Sequence, residues 1–459
     1  MKPLFLALAV AFALQPAVGR ADPFYFGADL SFANEMEDCG AVFREHGEAV
    51  DPFKLFKAHG TNLVRVRLWV DPDWTKYSTL ADVEKTIRRA KAEGLPVLLD
   101  FHYSDDWADG DKQPAPKAWA AIQDPQALAR QLHDYTVDVL TRLDREGLMP
   151  QMVQVGNETN SQLLGGKKDQ PIDWARNAIL FNAAIQGVRD ASAGSAIKPK
   201  VMIHIAQPEH VEPWFKAATE VGVTGYDVIG ISYYPKWSTQ TIKGLGQTIG
   251  RLRHRYGVEV MVVETAYPWT LDNADATPNV LWSDALLPAY PATPKGQARY
   301  LADLTQGVIA AGGAGVVYWA PDWVSTACKT RWGTGSTWDN ATYFDFQHNN
   351  EVLPAIDFPR QAYAWPVTVR FHLKGVTVAA GQQPLLWGDF LGARGVLVRM
   401  EPDGQGGWVY VDHLPAGQVL RFQAYAGLPL TTGLLKPLAG YVESTVGAGD
   451  TEIELRPGG

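Results

Sequence analysis

The sequence predicts an α/β chain: a (β/α)8 TIM barrel followed by a small, sandwich-like all-β domain. Three observations carry this. Eight short apolar runs, each ending in polar or aromatic residues, recur between Phe24 and Trp323. Helix-like stretches separate them. After Phe358 those stretches stop, and short alternating runs broken by Gly, Pro and Asp continue to the C-terminus. Near-continuous apolar strands alternating with helices call for a parallel sheet covered on its outside, and eight such units close into a barrel. No glycine-rich phosphate loop follows the first strand, so an open nucleotide-binding sheet has little support.

The strands read in order are FYFGADL (24–30), NLVRVRLW (62–69), PVLLDFHY (96–103), MVQVGNE (152–158), KVMIHIAQ (200–207), YDVIGISYYP (226–235), VEVMVVETAYP (258–268) and GVVYWAPDW (315–323). DPFKLFKAHG, LADVEKTIRRAKAEG and PQALARQLHDYTVDVLTRLDREG are helix-like, and Gly60 and Gly94 are suitable C-terminal stops for the first two. The segment 359–365 is the expected joint. VTVRFHLKGVTV, GGWVYVDHL and QVLRFQAYAG typify the all-β domain expected over 366–459. Its Trp387 and Trp408 are open to two readings, a sugar platform or packing.

Ahead of the barrel (22–358), Lys2, the apolar run Leu4–Leu14 and small residues ending at Ala21 read as a secretory signal peptide over 1–21. The run is too short for a membrane span. The protein is therefore expected to be secreted, extracellular or periplasmic, without a membrane anchor. It has two cysteines, Cys39 and Cys328. In an oxidising compartment two cysteines suggest one bridge, and the loops after strands one and eight are neighbours in a closed barrel. The alternative is two buried thiols. With 50 acidic residues against 41 basic ones and a net charge of −9, no nucleic-acid partner is expected. The 16 Trp either pack a core or offer flat faces to sugar rings, and composition does not choose between the two.

Active-site residues of such a barrel sit at the C-terminal strand ends. Strand two ends in Arg65, Arg67 and Trp69, strand three in Asp100, His102 and Tyr103, and strand four in Asn157 and Glu158. Strand six carries Tyr233 and Tyr234, strand seven ends in Glu264, and strand eight in Trp319, Asp322 and Trp323. Two carboxylates ringed by these groups suit glycosidic cleavage, in which one carboxyl donates a proton and the other stays ionised. Arg65 or Arg67 beside Glu264 would keep it charged. Tyr233 would aim it, Asn157 would donate to a sugar hydroxyl, and Trp319 would offer a flat floor.

The stretches GADLSFANEMEDCG (27–40), RVRLWVDP (65–72), DFHYSDDWADGDKQ (100–113), GNETN (156–160), ISYYPKW (231–237), VVETAYPWT (262–270) and STACKTRWGTGSTWDNATYFDF (325–346) resemble glycoside hydrolase family 53 over about residues 24–358. The resemblance implies a retaining endo-β-1,4-galactanase, with Glu158 as acid/base and Glu264 as nucleophile. His102, Trp107 and Trp323 join the expected substrate contacts. The implied partner is a polysaccharide, β-1,4-galactan or type I arabinogalactan, acted on by a monomer that requires no cofactor. Some bacterial relatives bind calcium in the loop after strand seven. Here TLDNADATPN places Asn273, Asp275, Thr277 and Asn279 at alternate positions, with Asp272 beside them. That is the spacing of a structural Ca2+ site or of a solvated turn. The same catalytic pair would serve a mannanase or a glucanase, and the barrel alone would serve a non-catalytic carbohydrate-binding protein.

Overall fold

The structure is a computed structural model describing residues 23–331, 333–379, 381–391, 397–427 and 436–457. The signal peptide expected over 1–21 lies outside these. Eight parallel strands close in chain order: β1 (Tyr25–Asp29), β2 (Leu63–Leu68), β3 (Val97–Phe101), β4 (Met152–Val155), β5 (Lys200–Ala206), β6 (Val228–Ser232), β7 (Glu259–Glu264) and β8 (Gly315–Tyr318). Each lies within the apolar run read for it. Gly27 of β1 pairs with Leu63 on one side and Val317 on the other, which closes the ring.

Helices surround the barrel: α1 (Ala33–Asp38), α2 (Pro52–Ala58), α3 (Leu80–Ala92), α4 (Pro125–Arg145), α5 (Trp174–Ser192), α6 (Pro208–Glu220), α7 (Ile242–Tyr256) and α8 (Pro294–Ala310). Their starts are written in the sequence. Asp51, Thr79, Asp124, Asp173, Thr241 and Thr293 each accept a backbone N–H of the first turn of the helix that follows. Gly60 and Gly94 follow α2 and α3 with φ of +93° and +66°, a conformation that costs a glycine little. After β8 a long loop ends in a 3-10 helix, Pro354–Arg360, which packs on α8 where another α-helix would complete the repeat.

Inside the barrel, alternate residues point inward. Leu63, Leu98, Met152, Met202, Val228, Met261, Val263 and Val317 form an apolar floor. Two residues further along β2, β3, β4 and β5 the lining turns polar: Arg65, Asp100, Gln154 and His204 are all buried. β7 departs from strict alternation. Ile231 pairs with Val262, but Ser232 pairs with Glu264, so β7 holds one extra residue at Val263. The shift lets Glu264 follow the inward-facing Val263 and still point inward, a use of strand irregularities that recurs beside active sites.

The joint is a packed segment. Tyr363 stacks on Phe26 with ring centroids 5.9 Å apart, Trp365 meets Phe24 edge-on at 5.7 Å, and Gln306 of α8 exchanges two hydrogen bonds with Ala364 at 2.9 and 2.8 Å. Beyond it β9 (Val367–Leu373), β10 (Gln383–Gly388), β11 (Leu397–Arg399), β12 (Glu401–Pro402), β13 (Trp408–Leu414), β14 (Val419–Gly427), β15 (Lys436–Pro437), β16 (Val442–Thr445) and β17 (Thr451–Leu455) form two sheets. One has the order β12-β13-β9-β17. The other has β11-β10-β14-β15, with β16 also on β14. Phe371, Phe390, Leu420 and Phe422 lie in the core between them. Trp408 packs against that core, whereas Trp387 lies outside it beside Tyr441, ring centroids 6.2 Å apart. Asp412 of β13 is buried against the barrel, bonded to Arg253 at 2.6 Å and His254 at 2.8 Å, both on α7.

Cys39 and Cys328 are bonded, with Cα atoms 5.7 Å apart, and join the turn after α1 to the loop after β8.

Candidate active site

Glu158 and Glu264 both reach the polar layer at the C-terminal mouth. Glu158 leaves β4 through a tight turn. Gly156 has φ +94°, and a Cβ there would sit 2.6 Å from Thr159 Cγ2; Glu158 itself has φ +42°. Tyr103, Gln207 and Ala320, just past β3, β5 and β8, also have positive φ. Four strand ends therefore hold a conformation that side-chain-bearing residues seldom adopt, which is characteristic of functional rims.

Arg65 organises the layer. Its Nη1 lies 2.8 Å from Asp29, and its Nη2 lies 2.8 Å from both Asp100 and Glu264 Oε1 and donates to Asn157 Oδ1 at 2.9 Å. Of the two arginines the sequence offered, Arg65 is thus the one beside Glu264. Arg67 lies 4.4–4.7 Å from the ring centres of Phe32, Trp69 and Trp107, and its Nε donates to Ser78.

Tyr233 does not aim Glu264. Its hydroxyl donates to the Gln240 carbonyl at 3.0 Å, and Tyr234 donates to Glu264 Oε2 at 3.0 Å. The reason is parity: on β6 the inward residues are Val228, Gly230 and Ser232, and Tyr234 continues that series while Tyr233 points away. Asn157 is buried, and its amide donates to the Ala108 carbonyl at 2.9 Å. His102 Nε2 lies 3.1 Å from Asp100. Trp107 and Trp319 face each other edge-on with centroids 6.0 Å apart, and Trp338 meets Trp319 at 4.7 Å. Trp323 is a floor beneath this wall. It is 5% exposed and lies flat on Phe32, centroids 4.1 Å apart, so it offers no open platform.

Burial raises both catalytic-candidate carboxyls above the ordinary glutamate range. Glu264 is pushed up to about 8 by burial; Arg65 pulls the other way and the Glu158 charge adds to the rise. Each charge disfavours ionisation of the other carboxyl, and the pair shares one proton. Arg65 and the Tyr234 hydroxyl against the two oxygens of Glu264 favour the charge there. Glu158 meets uncharged donors, Ser232 Oγ at 2.6 Å and the Gly110 N–H at 3.2 Å, and keeps the proton.

The sequence reading assigned no part to Ser232, His204 or Gln154. Their signal was present: each is a polar residue of inward parity in an otherwise apolar strand.

In the loop after β7, Asp275 accepts the Thr277 and Ser336 N–H groups at 2.6 and 2.9 Å. The Asn279 amide donates to Asn273 and, at 2.7 Å, to Asp339, and Asn279 Oδ1 is buried with no partner. Asp339, distant in sequence and absent from the expected set, is pushed up to about 6 by burial. An orphaned oxygen beside a destabilised carboxylate fits a hard cation. No cluster of three or more His, Cys, Asp or Glu among the described residues is arranged to hold a metal.

The family model for glycosyl hydrolase family 53 matches residues 25–358. The chain belongs to glycosyl hydrolase family 53. This family 53 hydrolase is 52% identical over 368 residues to the arabinogalactan endo-β-1,4-galactanase of Cellvibrio japonicus (strain Ueda107), covering 79% of this chain and 98% of the relative. It is 33% identical over 380 residues to the endo-β-1,4-galactanase of Bacillus subtilis (strain 168), covering 74% and 86%. Among solved structures it is similar to the Ignisphaera aggregans GH53 catalytic domain, with a TM-score of 0.67 and 32% identity over 76% of this chain and 99% of that one. The β domain of the hydrolase lies beyond the matched residues.

Proposed function

We propose that the protein is a retaining endo-hydrolase of β-1,4-galactan and of the galactan in type I arabinogalactan, with Glu264 as nucleophile and Glu158 as acid/base. The observation that carries the assignment is the asymmetry of the pair: Glu264 faces the Arg65 cation and Glu158 faces neutral donors. Glu264 attacks the anomeric carbon while Glu158 protonates the departing glycosidic oxygen. The glycosyl–enzyme ester is then opened by a water whose proton returns to Glu158. Trp107 and Trp319 contribute aromatic surface for the apolar faces of the sugars. Sugar release from unbranched β-1,4-galactan, set against β-mannan and β-glucan, tests the substrate; preferential release from either of the latter overturns it.

The protein is further read as a secreted monomer. The bridge between Cys39 and Cys328 supports an oxidising destination, and no helix among the described residues is long and apolar enough to cross a membrane. Asn273, Asp275, Asn279 and Asp339 would hold a structural Ca2+, whose charge would offset the buried Asp339 carboxylate. A rise in melting temperature with calcium, reversed by chelator, tests this.

A further inference from the structure

Behind Glu158 lies a chain of two uncharged groups. Ser232 Oγ is 2.6 Å from Glu158 Oε1, and His204 Nε2 is 2.8 Å from the same Ser232 Oγ. Ser232 and His204 are both fully buried. Burial, and then the Arg65 charge, pushes the His204 pKa well below its ordinary value, so the ring is neutral and carries a single proton.

The position of that proton follows from what surrounds Nδ1. The Glu158 backbone N–H points at it from 3.3 Å and the Gln154 amide nitrogen lies 3.0 Å away. Both are donors. The one acceptor nearby, Asn157 Oδ1 at 3.0 Å, already receives the Arg65 guanidinium. The Gln154 amide also faces Asp100, Gly156 and Asn157, so the backbone N–H of Glu158 decides: directed at Nδ1, it requires that nitrogen to accept, and the proton is on Nε2. Nε2–H then donates to Ser232 Oγ, and the single hydroxyl hydrogen of Ser232 has one direction left, onto Glu158 Oε1.

We propose that Ser232 and His204 are positioning residues forming an uncharged relay of fixed polarity, which occupies Oε1 of Glu158 and commits its transferable proton to Oε2. This rests on the reading of Glu158 as acid/base. No proton moves along the relay during the cycle: the proton on Oε2 goes to the departing oxygen and returns from the attacking water, while the Oε1 side keeps its hydrogen bond in both states. A carboxyl free to carry its proton on either oxygen would present it to the substrate only part of the time. Other groups act on the same carboxyl from every side: Arg65 from β2, Asp109 and the Gly110 N–H from the loop after β3, and Tyr234 and Glu264 from β6 and β7. Of these neighbours, Ser232 alone presents a side-chain hydroxyl to Oε1.

Because Ser232 stabilises the ionised form, Ser232→Ala should raise the Glu158 pKa and move the basic limb of the kcat/KM profile on galactan up by about one pH unit. The acidic limb should stay, and Ser232→Thr, which keeps the hydroxyl, should restore the wild-type limb. Long-range 15N spectra of histidine-labelled wild-type protein should show His204 protonated at Nε2 and bare at Nδ1 across the active pH range. An unmoved basic limb in folded Ser232→Ala, or an Nδ1–H tautomer, overturns the relay. If the wild type cleaves no galactan, the functional reading fails. The relay is then decided by carboxyl 13C titration of glutamate-labelled protein, with Glu158 assigned through Glu158→Gln.

Discussion

Tyr234 donates its hydroxyl to Glu264 Oε2 at 3.0 Å, while the adjacent Tyr233 donates to the backbone of Gln240. Two consecutive tyrosines are thus split between chemistry and scaffolding. Tyr234→Phe removes a hydrogen bond to a charged group and should lower kcat about 10- to 100-fold, the equivalent of roughly 1.5–3 kcal/mol. Tyr233→Phe should leave kcat near wild type and cost about 1 kcal/mol of stability. Steady-state kinetics beside thermal melts of the two variants checks both.

Glu158→Gln should lower activity on polymer by at least about 10²-fold, and Glu264→Gln by more. On an aryl glycoside with a good leaving group, Glu158→Gln should still form the glycosyl–enzyme, and azide should restore turnover with retained configuration. Azide rescue with retention in Glu264→Gln would exchange the two roles.

For the native pair, kcat/KM should hold through the acidic range and fall only above the ordinary carboxylate range, where the proton leaves Glu158, whose carboxyl burial raises. A basic limb near the ordinary carboxylate range, around pH 4–5, would contradict the burial argument.

Most of the barrel was legible because the strands are largely apolar runs and six of the eight helix starts carry a capping Asp or Thr. Polar residues of one parity marked the lining. Legibility failed where alternation is locally broken or where a contact is not local. The extra residue at Val263 re-aims Glu264, and no pattern in VEVMVVE announces it. Tyr234 could be separated from Tyr233 only by counting from Ser232 with the strand end known. Asp339 joins Asn279 across 60 residues of chain, a distance over which spacing carries no information. Trp323 is among the expected substrate contacts, and the Phe32 ring stacked on it comes from the loop after β1, a contact that is not local in sequence.

Asp412 couples the β domain to the barrel through charge. Burial would raise its carboxyl, but the His254 hydrogen bond and the Arg253 cation hold it at about 2, below its ordinary 3.8. A lowered folded pKa gives stability that is complete above about pH 4 and is lost as pH falls through about 2, worth roughly 2 kcal/mol. Asp412→Asn should abolish that part of the acid dependence. Tryptophan fluorescence followed between pH 5 and 2 measures it.

Loss of the Cys39–Cys328 bridge, by Cys39→Ser with Cys328→Ser, should cost about 2–5 kcal/mol. It should also raise KM for polymer more than for small aryl glycosides, since it frees the two loops that carry Phe32 and the Trp323–Trp338 segment. An unchanged polymer KM would confine the bridge to a purely structural role.

Tyr363 and Trp365 cap the end of the barrel at which β1 begins, opposite the two carboxylates. The β domain, held there also by Asp412 on Arg253 and His254 at the end of α7, therefore rides behind the enzyme like a handle, away from the face that carries the carboxylates. The cleavable unit and the foldable unit also end at different places. The sequence changes character at Phe358, but a shortened enzyme cut there would lose the Tyr363 ring from Phe26 and the Trp365 ring from Phe24, while Phe358 stayed on Phe26, and a barrel that keeps these contacts runs through Trp365.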